Sequence, residues 1–457
     1  MRDERAAALE REFDEQVCRH RVEVADYVST HAAELAAQGI HPEGFALPLR
    51  PMLLTGGQLA HLQQAIDVFW GALLKVFFIE YGGDIRRIGK RLKLDESIVE
   101  CLERNFAPER AVTDLFGRSD GFAVGGNIVF IEQNISSGPG GIPAVDALSR
   151  FFDAFPPLRS LREHTTIGRL SPLESYTSLF NGPGWAGTTI GYIDAVMPDG
   201  SLWDDDGLRF LAALSARGIH LVDLTAKELV CRDDGLHADG ERIDRVYRGV
   251  AALGLWHRFE ELAPVYEACR RGLLHMTTSP YEMVFFDKLL LVYLSDPALS
   301  PWLNYAERRV LANVVPWTRF LRDEPVTYGA RTLPVPDLCI DRREELVIKR
   351  GNGFGSEAVV IGADCDARGW REHVDTALAE ENWVVQELVD APRVRLPYLV
   401  DGDVEWFEAV PMACPYVVRG EVCGLAGRTS VPGGHRILVG AGAEGSSAGI
   451  RTAFRVG

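Results

Sequence analysis

The chain has 457 residues, 47% of them hydrophobic, and a formal net charge of −17. That length accommodates roughly two to four packed units with a sizeable core. The charge excludes broad affinity for nucleic acid, which needs a basic face. No apolar run approaches the length of a bilayer span, and the charged start Met1-Arg2-Asp3-Glu4-Arg5 is not a secretory signal, so neither membrane nor export is expected. Eight scattered cysteines, without CxxC pairs or metal-like spacing to histidine, read as the reduced thiols of a cytoplasmic protein.

The first hundred or so residues read mostly as helix. Apolar residues recur at helical spacing from Arg5 to Ala37, a pattern closed by Gly39 and Pro42. A second run covers Gln58 to Phe78, and a charged one Ile85 to Asn105. Nothing in this region, 1–110, rises above scaffold.

The next region, 111–180, holds the most informative stretch. Gly117-Arg118-Ser119-Asp120 leads into the turn Val124-Gly125-Gly126-Asn127, and Ile128 to Ile131 returns as an apolar strand ending in Glu132-Gln133-Asn134. Alternation puts Glu132 and Asn134 on one face, with Asp120 beside them on the other arm. Two carboxylates and an amide are oxygen ligands of the kind Mg²⁺ takes, and Arg118 stands next to them. The bland alternative is an ordinary acidic surface hairpin. Ser136 to Gly141 follows as a loop, and Ile142 to Phe155 as a helix.

From Thr188 strands alternate with helices. Thr188–Ile193 is a predicted strand, Asp206–Arg217 a helix, His220–Leu224 a strand, Leu229–Ala238 a hairpin and Ile243–Arg248 a further strand. Such alternation predicts a parallel, Rossmann-like sheet over 181–260. No G-x-G-x-x-G opens a helix here, so dinucleotide binding is not expected. Helices are predicted over Pro264–Leu274, Tyr281–Leu294 and Glu307–Arg319.

The last third, within 261–457, is β-rich. Lys349-Arg350-Gly351-Asn352-Gly353-Phe354-Gly355-Ser356 lies between the strands Leu346–Lys349 and Ala358–Gly362. A Walker loop or a Rossmann turn would lead into a helix instead. A glycine-rich hairpin can cover a triphosphate, with backbone N–H groups on phosphate oxygens and Lys349 aimed at them. Lys288 is a rare cation in the apolar run Phe285 to Leu290, either a phosphate ligand or a lysine that snorkels to the surface. In strand Trp383 to Val389, Gln386-Glu387 interrupts an apolar run, as a hinge against a purine edge would. Arg428 lies in the flexible Gly424 to Thr429 segment. Further strands are predicted near Val404–Ala409, Tyr416–Leu425 and His435–Val439.

Lysine on a helix, lysine before a glycine flap, then a Gln-Glu hinge resembles the order in ATP-grasp ligases. Here, however, Arg118, Asp120, Glu132 and Asn134 precede the flap. That order resembles the circularly permuted ATP-grasp family of glutathionylspermidine synthase, whose synthetase domain carries R-x-D, a hairpin, then E-x-N. The resemblance covers about 50 to 440. It implies an α+β (α/β) protein: a permuted ATP-grasp fold with a Rossmann-like pre-ATP-grasp subdomain and N-terminal helices. It also implies ATP and Mg²⁺, with Asp120, Glu132 and Asn134 as metal ligands and Arg118 and Lys349 acting at the transferred phosphoryl group. Lys288, Lys349, Gly351, Gly353, Gly355, Gln386, Glu387, Val389 and Arg428 would hold the nucleotide.

The implied activity joins a small-molecule or peptide carboxylate to an amine through an acylphosphate, with a homodimer among the assemblies the resemblance allows. The acid would lie against Ser136, Ser137 and Gly140. Where the synthetase has E-Y-N-A-D-T-P, this chain has Glu132-Gln133-Asn134-Ile135-Ser136-Ser137-Gly138. That departure argues against glutathione with spermidine as the substrate pair. A small-molecule kinase and an inactive ATP-binding protein are the competing readings. Neither H-R-D-x-x-x-x-N nor D-F-G occurs.

Overall fold

The computed structural model describes residues 3–37, 40, 47–109, 115–135, 140–180, 188–193, 205–219, 221–224, 227–249, 260–353, 358–400, 402–430 and 448–457. Three larger sheets organise them. The main sheet runs Met52–Thr55, Ala448–Val456, Glu421–Ser430, Pro411–Val418, Phe116–Val124, Asn127–Ile135, with Ile167–Arg169 added beside Ala448–Val456. Its first pair is parallel and the rest antiparallel, so the 116–135 hairpin sits against strands far later in the chain. A second sheet is all parallel, in the order His275–Thr277, Arg245–Arg248, Ile190–Ile193, Leu221–Asp223. The sheet is parallel, as the alternating pattern predicts, but its strand His275–Thr277 lies beyond the expected 181–260. The third is antiparallel, in the order Thr318–Phe320, Trp383–Glu387, Leu346–Arg350, Val359–Ile361.

The helix Gly56–Lys75 backs the main sheet. It starts at a capping box, in which Gln58 N–H donates to Thr55 Oγ1 (3.3 Å) and Thr55 N–H to Gln58 Oε1 (3.0 Å). It buries Leu62, Ile66, Phe69, Trp70 and Leu73 at helical spacing. Phe69 stacks on Phe130 of the hairpin at 4.7 Å, a pair worth about 1 kcal/mol beyond its burial. With its π-helical extension to Glu80, this helix is 25 residues long and apolar enough to cross a membrane by length and composition, contrary to the sequence expectation. Here it is a core helix. The helices Glu4–Arg19 and Arg21–Ala37 pack Phe13, Val17 and Val28 in one cluster with Phe151, Phe152, Phe155 and Phe454.

Several predicted elements are divided, each for a local reason. The 5–37 helix breaks at His20. The 85–105 run is two helices, Ile85–Leu92 and Glu96–Asn105, separated where Lys93 adopts φ 56° and Asp95 caps the second by accepting from Ser97 N–H (2.8 Å). Glu307–Arg319 is instead the helix Tyr305–Val314 followed by strand Thr318–Phe320. Val315 before Pro316 is extended, as a residue before proline prefers. Ile243–Arg248 is two strands, Glu241–Ile243 and Arg245–Arg248. The chain changes sheets at Asp244, whose carboxylate accepts from Thr189 N–H (2.9 Å). The strand Met52–Thr55, the hairpin Pro325–Tyr328/Arg331–Pro334 and the strand Val394–Val400 were not anticipated. The predicted strand His435–Val439 lies outside the described residues.

Glycine is required where the hairpin arms press together. A Cβ on Gly117 would run into the Asn134 carbonyl oxygen and lie 2.7 Å from Ile135 Cα. Gly117→Ala should therefore destabilise the protein by about 2 kcal/mol, read as a lowered urea midpoint at unchanged slope.

Candidate active site

The hairpin register is Arg118 opposite Asn134, Ser119 opposite Gln133 and Asp120 opposite Glu132, with a bulge after Asp120. Alternation then divides the side chains between two faces. Ser119 and Gln133 are fully buried on the core side, where Trp70 Nε1 donates to Ser119 Oγ (3.0 Å) and Gln133 Nε2 to the Asp287 carbonyl (2.8 Å). Arg118, Asp120, Glu132 and Asn134 share the opposite face. Arg118 forks onto Asp120, Nε to Oδ1 at 2.7 Å and Nη2 to Oδ2 at 3.1 Å, with both residues buried. Burial alone would raise the Asp120 pKa, but Arg118 and then Arg428 reverse that effect and hold it below the ordinary value. Arg428 Nη1 approaches Asp120 Oδ2 at 4.0 Å from strand Glu421–Ser430.

Two lysines close over this face. Lys288 is not within a helix, as its apolar setting predicts. It lies in the break between the short helices Glu282–Phe285 and Leu290–Ser295. Asp287 makes that break, accepting from Leu289 N–H through Oδ1 (2.9 Å) in an Asx-type turn. The buried Lys288 ammonium meets Glu132 Oε1 at 3.1 Å and donates to the Gly353 carbonyl at 2.8 Å. Lys349, near the end of strand Leu346–Arg350, donates to the Ile131 carbonyl (3.0 Å) and Gln386 Oε1 (2.7 Å). Burial pushes its pKa down to about 8, with Glu132 acting in the opposite direction. Gln386 is itself held by Thr318, its Nε2 donating to Oγ1 at 3.0 Å.

Asp120, Glu132, Lys349, Gln386, Glu387, Val389 and Arg428 line one cleft of about 90 Å³, with Val347, Ile361 and Met412 forming its apolar wall. A larger hollow of about 350 Å³ lies between the helix Glu96–Asn105 and strand His275–Thr277, lined by Phe106, Arg270 and Met276. It contains none of these paired carboxylates and lysines. Chemistry, not size, selects the smaller cleft.

The remaining predicted residues fall as follows. Gly351 and Gly353 follow the strand Leu346–Arg350, and Glu387 ends the strand Trp383–Glu387, with its carboxylate 3.3 Å from Tyr328 Oη. The Gly140 carbonyl accepts from Arg118 Nη1 (3.1 Å) and Tyr416 Oη (2.7 Å). Ser136, Ser137 and Gly355 lie outside the described residues. Sequence reading missed Gln133, Asp287, Thr318 and Tyr416. Gln133 carried a signal, a polar residue on the core-facing alternation of an apolar strand. Thr318 and Tyr416 carried none, because distant strands bring them in.

Among the described residues no group of three or more His, Cys, Asp or Glu gathers as a metal cage. Asp120, Glu132 and Asn134 are an oxygen donor set of the type that fits Mg²⁺, which binds through one or two carboxylates and completes its shell with water and phosphate. Arg118 and Lys288 occupy those carboxylates here, so the face is already matched to positive charge.

No family profile and no curated protein matches the chain. Its fold is similar to that of a glutathione synthetase-like effector from Globodera pallida, with a TM-score of 0.53 at 11% identity over 93% of this chain and 95% of that one. A D-alanyl-alanine synthetase A from Vibrio cholerae O1 biovar eltor has a TM-score of 0.27 at 13% identity, over 54% of this chain and 68% of that one. A protein described as a γ-glutamylcysteine synthetase from Methylobacillus flagellatus KT has 0.34 at 12% identity, over 89% of each chain. Those last two likenesses are too slight to carry an argument. The chain is a mixed α/β protein with the effector's fold.

Proposed function

We propose that this protein is an ATP-dependent carboxylate–amine ligase of the permuted ATP-grasp kind, forming an amide through an acylphosphate. One observation carries the reading: Asp120 and Glu132 stand opposite each other while Lys288 and Lys349 converge on them beside an apolar slot. The pairing of the 116–135 hairpin with 411–418 supports the permuted order. The effector with the similar fold is described as glutathione synthetase-like, which agrees in kind.

In this mechanism the slot of Val347, Ile361, Val389 and Met412 takes the base, and Lys288 and Lys349 bind the β- and γ-phosphoryl oxygens. Asp120, Glu132 and Asn134 would hold Mg²⁺, which would supply charge neutralisation during transfer. Arg118 faces the group in transfer. A carboxylate oxygen of the acid attacks the γ-phosphorus and the bond to the bridging oxygen breaks, releasing ADP. The amine nitrogen then attacks the acyl carbon. Phosphate leaves with one oxygen of the acid, and the nitrogen loses a proton. Such chemistry needs alignment and charge stabilisation more than a protein nucleophile.

The test is ATP turnover with a panel of acids and amines, using ¹⁸O-labelled acid and hydroxylamine as a trap. Label in inorganic phosphate and acid-dependent hydroxamate are the expected results. Label in AMP, or a phosphorylated alcohol without hydroxamate, overturns the reading, the latter in favour of a kinase.

A further inference from the structure

We infer that Asp287 and Gln133 form a joint that sets the phosphate lysine, the metal-ligand strand and the base of the glycine flap in one register, making Asp287 a positioning residue for nucleotide binding. The inference rests on the nucleotide reading above. Two tethers meet at Asp287 and a third at the next residue. Its Oδ1 accepts from Leu289 N–H, which turns the chain sharply so that Lys288 leaves the helix path. Its carbonyl accepts from Gln133, the residue between Glu132 and Asn134, and so ties the turn to the back of the strand that bears them. The next residue, Lys288, donates its backbone N–H to the Gly351 carbonyl at 2.9 Å, while Gly351 N–H donates to the Asn382 carbonyl at 2.9 Å.

The contact with the flap leaves no slack. A Cβ on Gly351 would lie 2.6 Å from Asp287 Oδ1 and 2.6 Å from Asn382 Oδ1. Asp287 Oδ2, Gln133 Oε1 and Asn382 Oδ1 are buried and accept no hydrogen bond among the described residues. Buried acceptors left unmatched are costly and are retained where the surroundings over-determine them. Here the surroundings are three chain segments, 130–135, 286–289 and 349–353, each of which places one part of the site. Without the Asx turn, the segment would keep only its hydrogen bonds to Gln133, Gly351 and Gly353 against the helical path, and the reach of Lys288 to Glu132 would loosen.

The test compares the full chain with Asp287→Asn, Asp287→Ser and Asp287→Ala. Mg–ATP affinity is measured by calorimetry, Tm by scanning, and hydrogen exchange on the peptide spanning 286–289 and 349–353. Asn and Ser keep an acceptor for Leu289 N–H and should bind within about threefold of the parent. Ala should bind about tenfold more weakly, the scale of a lost cap. Equal affinity in all four proteins, or a Tm loss in Asp287→Ala without any change in affinity, overturns the inference. A parent that binds no Mg–ATP removes the nucleotide reading instead. The joint is then decided by exchange at the Lys288 and Gly351 amides, which must quicken in Asp287→Ala and not in Asp287→Asn. Should Asp287→Ala fail to fold, Gly351→Ala strains the same joint from the flap side, and unaltered affinity there is equally fatal.

Discussion

Glu132→Gln and Asn134→Ala should each lower turnover by about three orders of magnitude, the scale of losing one charge-stabilising group from a preorganised site. Both should leave the protein folded. Glu132 is one-quarter exposed, but its partner Lys288 at 3.1 Å is buried, so neutralising Glu132 leaves that ammonium buried without its carboxylate and should lower Tm as well. Asp120→Asn should reduce turnover similarly and also cost stability. Its Arg118 partner is buried, and breaking a buried ion pair by removing one member costs about 3–5 kcal/mol. A clear fall in Tm is therefore expected for Asp120→Asn and, through Lys288, for Glu132→Gln, but not for Asn134→Ala. Steady-state ADP release and calorimetric melting check both halves. Activity within threefold of the parent in any two of the three variants would remove this face as the metal site.

Lys349→Ala should weaken Mg–ATP binding by about a hundredfold, since a charge-assisted hydrogen bond in a desolvated site is worth roughly 1.5–3 kcal/mol. The parent's affinity carries its own pH signature. Burial lowers the Lys349 pKa to about 8, so the free protein loses this cation as pH rises through that value and the affinity declines with it. Stability moves in the opposite direction. Between about 8 and the ordinary value of 10.5, the unfolded lysine keeps a proton that the folded one has released. The unfolded state binds more protons there, so stability rises with pH across that window and is lower below it. Lys349→Met should abolish both trends. Titrations at pH 7, 8 and 9 on parent and variant decide; parallel curves would show that another group controls affinity.

The hairpin was legible because its information is local. Gly-rich turn, apolar return strand and period-two alternation together determined that Asp120, Glu132 and Asn134 share a face, and the register agrees. The parallel sheet was legible for the same reason, in alternating strands and helices. Lys349 before a glycine turn between two strands is likewise a property of contiguous residues. Lys288 shows the limit. Helical spacing across 281–294 is real, but three tertiary tethers to Gln133, Gly351 and Gly353 outweigh a propensity worth only tenths of a kcal/mol per residue.

What the chain by itself determined was the chemical inventory and its local order: two carboxylates and an amide on one hairpin face, two lysines, a glycine turn and a Gln-Glu hinge. What only the tertiary structure decided was their mutual distance. The 116–135 hairpin acquires its neighbour in 411–418, Arg428 its approach to Asp120, and Gln386 its hold on Lys349. Contacts between segments separated by hundreds of residues depend on sheet order and side-chain packing, which leave no periodicity in the sequence between them.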